Sequence, residues 1–212
     1  MAFFQYGATE VEYLKRRDKK LAQFIEQIGF IERAVDDDLF SAVVHHIVGQ
    51  QISTKAQATI WFKILDELGT VTPDTLITCG LERIQSFGTT WKKADYILDF
   101  AQKVHSGQFD IEALNRMTDE EAIAALSSLK GIGIWTAEMI LLFCLQRPNV
   151  FSYGDLAIQR GIRMVYRHRE LPKERFERYR KRFSPYCSTA SLYFWAVAGG
   201  AIHGLTDPTA KA

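Results

Sequence analysis

The sequence has little of what would mark it as a linker-rich, metal-clustered or membrane protein. Proline occurs 5 times in 212 residues, and no proline-, serine- or glycine-rich stretch separates one part of the chain from another. No internal repeat and no low-complexity segment is present. No run approaches the ~18–20 apolar residues of a membrane-spanning helix, so no membrane partner is expected. The first residues, MAFFQYGATEVEYLKRRDKK, put their basic side chains after their apolar ones. That is the wrong order for a secretory signal, so the expected address is intracellular. The 3 cysteines, Cys79, Cys144 and Cys187, form no CxxC pair. Zinc or iron–sulfur ligation is therefore not expected, and free thiols are. Net charge is only +1, so bulk charge names no partner.

What is there is helical. The chain is 47% hydrophobic and 24% charged, enough apolar material for one large domain or two small ones. Apolar residues recur at three- and four-residue spacing with no strong alternating run, which predicts an all-α fold. Asp36, Asp37 and Asp38 offer N-caps to LFSAVVHHIVGQQ, and Ser53 offers one to STKAQATIWFKILDEL, which Gly69 stops. Thr72-Pro73 opens a short helix, LERIQSF forms another that breaks at Gly88, and TWKKADYILDFAQKVH runs to about Gly107. Thr118 with Glu121 reads as a capping box before TDEEAIAALSSL. IWTAEMILLFCLQ is expected to run until Arg147-Pro148, with further helices over 155–167, 172–182 and 188–202.

Charge is unevenly placed. The stretch RGIRMVYRHRELPKERFERYRKR, 160–182, is strongly basic with only Glu170, Glu174 and Glu177 opposing it. It suits a polyanion, although a solvated helical face with i,i+4 pairs such as Glu174–Arg178 is the plainer reading.

Two short stretches carry chemistry. In LKGIGIW, Gly131 and Gly133 flank Ile132 between two helices. Glycine permits positive φ and close approach, so the turn can aim backbone N–H groups outward at the start of the next helix. Such a helix start favours anions. Ile132 would plug inward. The plainer reading is an αα-hairpin whose glycines only make the turn. In VFSYGDLAIQR, Gly154-Asp155 opens a new helix after Pro148. Asp155 reads first as an N-cap. A carboxylate fixed there can also stabilise a developing sugar cation and guide water.

LKGIGIWTAEMILL paired with VFSYGDLAIQR resembles the helix-hairpin-helix-Gly/Pro-Asp superfamily of base-excision DNA glycosylases. VVHHIVGQQISTKAQATI resembles the helix–turn–helix of its alkylbase (3-methyladenine, AlkA-type) branch, whose GQQ[IL]S turn faces DNA. The resemblance covers roughly 36–202. It implies two helical subdomains with a cleft between them: 31–147 containing the hairpin, and 1–30 plus 148–212 carrying the aspartate. About 30 residues precede the match, too few for the β-rich domain of larger bacterial members.

The resemblance also implies roles. Asp155 matches the catalytic aspartate. Gly131, Gly133 and Thr136 would hold the phosphate backbone. The carbonyls of Ser127, Leu129 and Ile132 match those that hold a monovalent cation, sodium or potassium, when DNA is bound; no other cofactor is implied. Lyase-competent relatives carry a lysine at the position of Trp135, so the implied activity is hydrolytic only. Trp135, Trp195 and Met139 would line the pocket for the flipped base, where an aromatic face attracts a cationic alkylpurine; core packing is the plain reading of both tryptophans. Gln51 corresponds to a gap-filling glutamine, and Ser53 shares its turn. Thr89 and Thr90, after Phe87-Gly88, fall where the branch carries a leucine wedge. His45 and His46 read as structural. Cys187 stands where relatives place a basic residue near DNA. The expected partner is damaged double-stranded DNA, bound by a monomer in the bacterial cytoplasm (at the nucleoid) or the eukaryotic nucleus. A non-catalytic DNA-binding hairpin protein, and a glycosylase for oxidised or mismatched bases, are the competing readings.

Overall fold

The computed structural model describes residues 2–36 and 38–209; of the three acidic residues before the first long apolar helix, Asp37 lies outside them. The chain forms two compact units, one of residues 36–145 and one of residues 1–35 with 146–212. The division falls a few residues from the expected 30/31 and 147/148 boundaries. A short strand, β2 (Ala34–Val35), pairs antiparallel with β1 (Ala2–Phe3), and this keeps residues up to 35 with the N-terminal segment. That two-residue ladder is a small departure from the all-α expectation; eleven α-helices make up most of the described chain.

The unit of residues 36–145 holds six of them. α3 (Leu39–Gly49) is capped by Asp38, whose side chain accepts from Ser41 N. α4 (Thr54–Leu68) is capped by Ser53 and ends at Gly69. α5 (Pro73–Ser86) opens with a capping box of Thr72 and Thr75, and at Gly80 (φ 75) it breaks into the two short helices its sequence suggests. α6 (Trp91–His105) is capped by Thr90. A 3-10 turn follows at Glu112–Arg116, and α7 (Asp119–Ser127) begins with the Thr118–Glu121 capping box. α8 (Ile134–Phe143) is buried over residues 136–142. It stops earlier than expected. Proline at 148 disfavours the α conformation at Arg147 and would clash with the carbonyl four residues back, and Gln146 turns left-handed at φ 50. Phe40 stacks on Phe100 at 4.9 Å, and α3 packs on α4, α6 and α8.

The second unit brings α1 (Ala8–Arg17) and α2 (Lys19–Ile28) against α9 (Leu156–Tyr166), α10 (Lys173–Phe183) and α11 (Cys187–Ala198). Phe151 is fully buried among Phe176, Phe183 and Phe194, a burial that contributes about 1.5–3 kcal/mol for such a ring. Gly161 sits where α9 crosses α11. A Cβ there would lie 2.2 Å from the Phe194 carbonyl oxygen, so only glycine allows this approach.

Much of the basic 160–182 stretch is spent inside this unit. Arg163 donates to Asp207 at 2.7 Å, Arg167 to the Thr206 carbonyl, Arg180 to the Phe151 carbonyl, and Arg182 to the buried Asp18 that caps α2. These arginines close the fold. Among the described residues no helix is long and apolar enough to cross a membrane.

Candidate functional site

The hairpin follows from its two glycines in different ways. After α7, the turn returns through Leu129 and Ile132, whose N–H donates to the Leu129 carbonyl at 3.2 Å. Gly131 adopts φ 79, and a Cβ on it would lie 2.1 Å from the Tyr96 ring. Conformation and packing therefore both require glycine at 131. Gly133 has an ordinary φ of −94, and a Cβ there would meet nothing of the protein within 4 Å. This corrects the expectation that both glycines serve the turn: only Gly131 is required by conformation and packing, and the face of Gly133 is bare of protein atoms. Ile132 is 5% exposed and plugs inward as expected.

No side chain caps α8, unlike α3, α4, α5, α6 and α7. Its start therefore presents backbone N–H groups and the positive end of the helix dipole without a built-in carboxylate or hydroxyl. Ile134 and Trp135 beside it are 65% and 44% exposed, so Trp135 is not a core tryptophan. Thr136 and Met139 are buried, at 5% and 3%. Thr136 does not stand out as an exposed hydroxyl, because the helix turns it inward one position after Trp135.

The turn after α3 lies beside the hairpin. Gln50 Nε2 donates to the Gly131 carbonyl at 2.8 Å. Gln51 is exposed and left-handed at φ 56, a conformation that costs a non-glycine residue about 1 kcal/mol or more. Ser53 Oγ accepts from Ala56 N at 3.2 Å and Thr90 Oγ1 from Lys93 N at 3.2 Å, so both exposed hydroxyls act as helix caps. Thr89 departs from its expected role. It is 5% exposed, and its hydroxyl donates to the Ile84 carbonyl, because Gly88 at φ 112 tucks it under the turn. The exposed apolar group of that loop is instead Trp91, at 57%. The turn, the start of α6 and the hairpin together border a recess of about 310 Å³, lined among others by Gln51, Ile52, Lys92, Tyr96 and Gly131.

Ile52, Trp91 and Lys93 were missed from sequence. Exposure of a large apolar residue next to glutamines or lysines has no periodic signature. His45 packs its ring against Trp61 at 4.5 Å in a tilted pair, and burial lowers the pKa of both His45 and His46, the latter to about 4. Both histidines belong to the packing of this unit.

In the other unit Asp155 is 7% exposed and caps α9. Its Oδ1 accepts from Ala157 N at 2.9 Å, Ile158 N at 2.8 Å and Trp195 Nε1 at 3.1 Å. One carboxylate oxygen thus gathers three donors, and a carboxylate so held cannot rotate freely. Trp195 reaches it from α11 because Gly161 lets α9 and α11 close. The N-cap reading and the special-carboxylate reading of Asp155 are therefore not alternatives; the cap is what fixes the carboxylate. Cys187, by contrast, is fully buried, with its thiol pushed up to about 12 by burial, and presents no surface.

Among the described residues no three His, Cys, Asp or Glu side chains converge as metal ligands. The carbonyls of Ser127, Leu129 and Ile132 are hard oxygen donors on one tight turn, the donor class that suits a hard cation. One buried polar atom on this turn, Ser127 Oγ, has no hydrogen-bond partner.

The chain is similar to proteins of known structure and name. A crystal structure of a DNA-3-methyladenine glycosidase from Bacillus halodurans is 32% identical, with 97% of this chain and 96% of that one covered and a TM-score of 0.84. The Schizosaccharomyces pombe 3-methyladenine DNA glycosylase in complex with abasic DNA is 25% identical, covering 94% of this chain and 100% of that one, with a TM-score of 0.81. DNA-3-methyladenine glycosylase 1 of Schizosaccharomyces pombe is 29% identical over 161 residues, 74% of this chain and 71% of that one. The chain spans 64% of the length of one Bacillus subtilis relative. The model of the HhH-GPD superfamily base excision DNA repair proteins matches residues 44–185, and the chain belongs to that family.

Proposed function

We propose that this chain is a monofunctional DNA glycosylase that removes alkylated purines, such as 3-methyladenine, from duplex DNA and leaves an abasic site. The observation that carries the reading is Asp155, fixed by three donors on one oxygen in a chain similar to proteins that bear 3-methyladenine glycosylase names. A pure DNA-binding hairpin needs no such carboxylate.

Binding begins at the hairpin. The uncapped start of α8 and the bare face of Gly133 receive a backbone phosphate. The carbonyls of Ser127, Leu129 and Ile132 would hold a monovalent cation beside it, adding positive charge toward the same phosphate. The target nucleotide leaves the stack, and Gln51 fills the gap. Trp135, 44% exposed, offers its indole to the base, and a π-face favours a cationic alkylpurine over a neutral base.

The chemistry then asks little of the protein. The alkylated base carries positive charge, so cleavage of the bond from C1′ to the base nitrogen releases it neutral and leaves the charge on the sugar. Asp155, with its orientation set through Oδ1, stabilises that oxocarbenium-like centre. Water adds at C1′ and its proton passes to Asp155 and on to solvent. A tryptophan at 135 provides no amine for a Schiff base, so strand cleavage by a lyase step is not part of the reaction. The protein acts as a monomer on DNA wherever the genome lies.

The test combines two assays on the purified chain. Binding to a duplex bearing an abasic-site analogue should weaken as salt rises. Borohydride added during reaction should trap no covalent protein–DNA complex. A trapped complex would replace this reading with a lyase for oxidised bases.

A further inference from the structure

The left-handed Gln51 raises a question of support. A non-glycine residue at φ 56 persists only where its surroundings over-determine it. The turn around it has lost the regular helix ladder: Gln50 N reaches only the Ile47 carbonyl, at 3.3 Å, leaving the carbonyls of Val48 and Gln50 at the end of α3 without helical partners.

Both carbonyls find the same cation. Lys93 Nζ, from the first turn of α6, donates to the Val48 carbonyl at 2.9 Å and to the Gln50 carbonyl at 2.6 Å. An ammonium at a helix C-terminus satisfies orphan carbonyls and meets the negative end of the dipole. The second carbonyl is the one immediately before Gln51. From the other side, Gln50 Nε2 holds the Gly131 carbonyl of the hairpin at 2.8 Å. Gln57 Nε2 holds the His45 carbonyl at 3.0 Å, and its side chain occupies the space a Cβ on Gly49 would need. Burial already holds the Lys93 ammonium below the ordinary lysine value, consistent with a charge turned away from water.

Resting on the glycosylase reading above, we infer that Lys93 is a positioning residue: it braces the strained Gln51 turn and, through Gln50, locks that turn to the Gly131 hairpin, so that gap filling and phosphate binding act as one rigid surface. Lys93 is then not a phosphate ligand, although it lies in a lysine pair beside the DNA-facing elements. Lys92, exposed and over the Tyr96 ring at 5.8 Å, is the member of the pair that faces solvent.

The experiment is a double-mutant cycle of Lys93→Met and Gln51→Ala, with Lys93→Arg as the conservative variant. Affinity is read on an undamaged duplex and on one bearing an abasic-site analogue. Each single substitution should weaken abasic-duplex binding about ten-fold, the scale of a lost charge-assisted hydrogen bond. The double variant should be no weaker than either single one, because both remove the same positioned turn. Lys93→Arg should recover most of the loss, undamaged-duplex binding should weaken much less than abasic-duplex binding, and the salt slope should stay near wild type. Additive losses, or equal weakening on both duplexes with a salt slope reduced by about one, would make Lys93 a direct phosphate contact and overturn the inference. Amide hydrogen exchange on the free protein separates this inference from the glycosylase reading. Lys93→Met should speed exchange at Gln50 while leaving Leu21 and Ile25 of the other unit unchanged; unaltered exchange at Gln50 overturns the brace whether or not the protein excises bases.

Discussion

The indole N–H of Trp195 donates to Asp155 Oδ1 at 3.1 Å. It is the third donor on an oxygen that already accepts two backbone N–H groups at the start of α9. Trp195 therefore acts first on the carboxylate, and any stacking on a flipped base comes in addition. Trp195→Phe keeps an aromatic, though smaller, ring and deletes the donor. Single-turnover excision should fall about ten-fold, the value of one hydrogen bond to a charged group, while the melting temperature changes little. An unchanged rate would reduce Trp195 to packing.

Asp155→Asn separates the carboxylate's charge from its cap. Asparagine is as good an N-cap as aspartate, so the α9 start should survive and unfolding by urea should shift by less than about 1 kcal/mol. Asp155→Ala should cost about 1 kcal/mol more through the lost cap. Equal stability of the asparagine and alanine variants would deny the cap its role.

Gly161→Ala tests the crossing that sets the Asp155–Trp195 distance. Alanine alone would favour the helix by about 1 kcal/mol, but its Cβ would meet the Phe194 carbonyl oxygen at 2.2 Å. The clash should win, with a net loss of about 1–3 kcal/mol in denaturant unfolding. Excision should fall further than stability alone accounts for at saturating folded fraction. A stabilised Gly161→Ala would show that the helices separate at no cost.

The His46 imidazole supplies a pH signature. Burial, with a smaller push from His45, lowers its pKa from 6.5 to about 4. The unfolded chain therefore binds more protons than the folded one in that window, and stability rises with pH there. Its contribution is fully present above about pH 6.5 and is lost as pH falls to about 4. Urea midpoints for wild type and His46→Gln, measured across this window, should converge as pH falls. Parallel curves would mean that His46 titrates normally.

Legibility differed between the parts for physical reasons. The capped helices were readable because caps are local: Ser53, Thr72, Thr118 and Asp155 each accept from an N–H two or three residues on. Gly131-Ile132-Gly133 was readable as a hairpin, but the different duties of its glycines depend on Tyr96, distant in sequence. The basic 160–182 stretch was ambiguous because its partners, Asp18, Phe151, Thr206 and Asp207, come from elsewhere in the chain. Thr89 turned inward and Trp91 outward because the φ of Gly88 decides which of them is exposed, and nothing local announces that. Lys93 gave no local sign at all; its two acceptors belong to the end of another helix.

The most direct measurement is release of free bases from methylated duplex DNA, resolved by chromatography, for wild type beside Asp155→Asn. The account predicts methylpurines from wild type, none above background from the variant, and undiminished variant binding to an abasic-site analogue. Release by the variant at the wild-type rate, or none from a wild type that still binds that analogue, would contradict it.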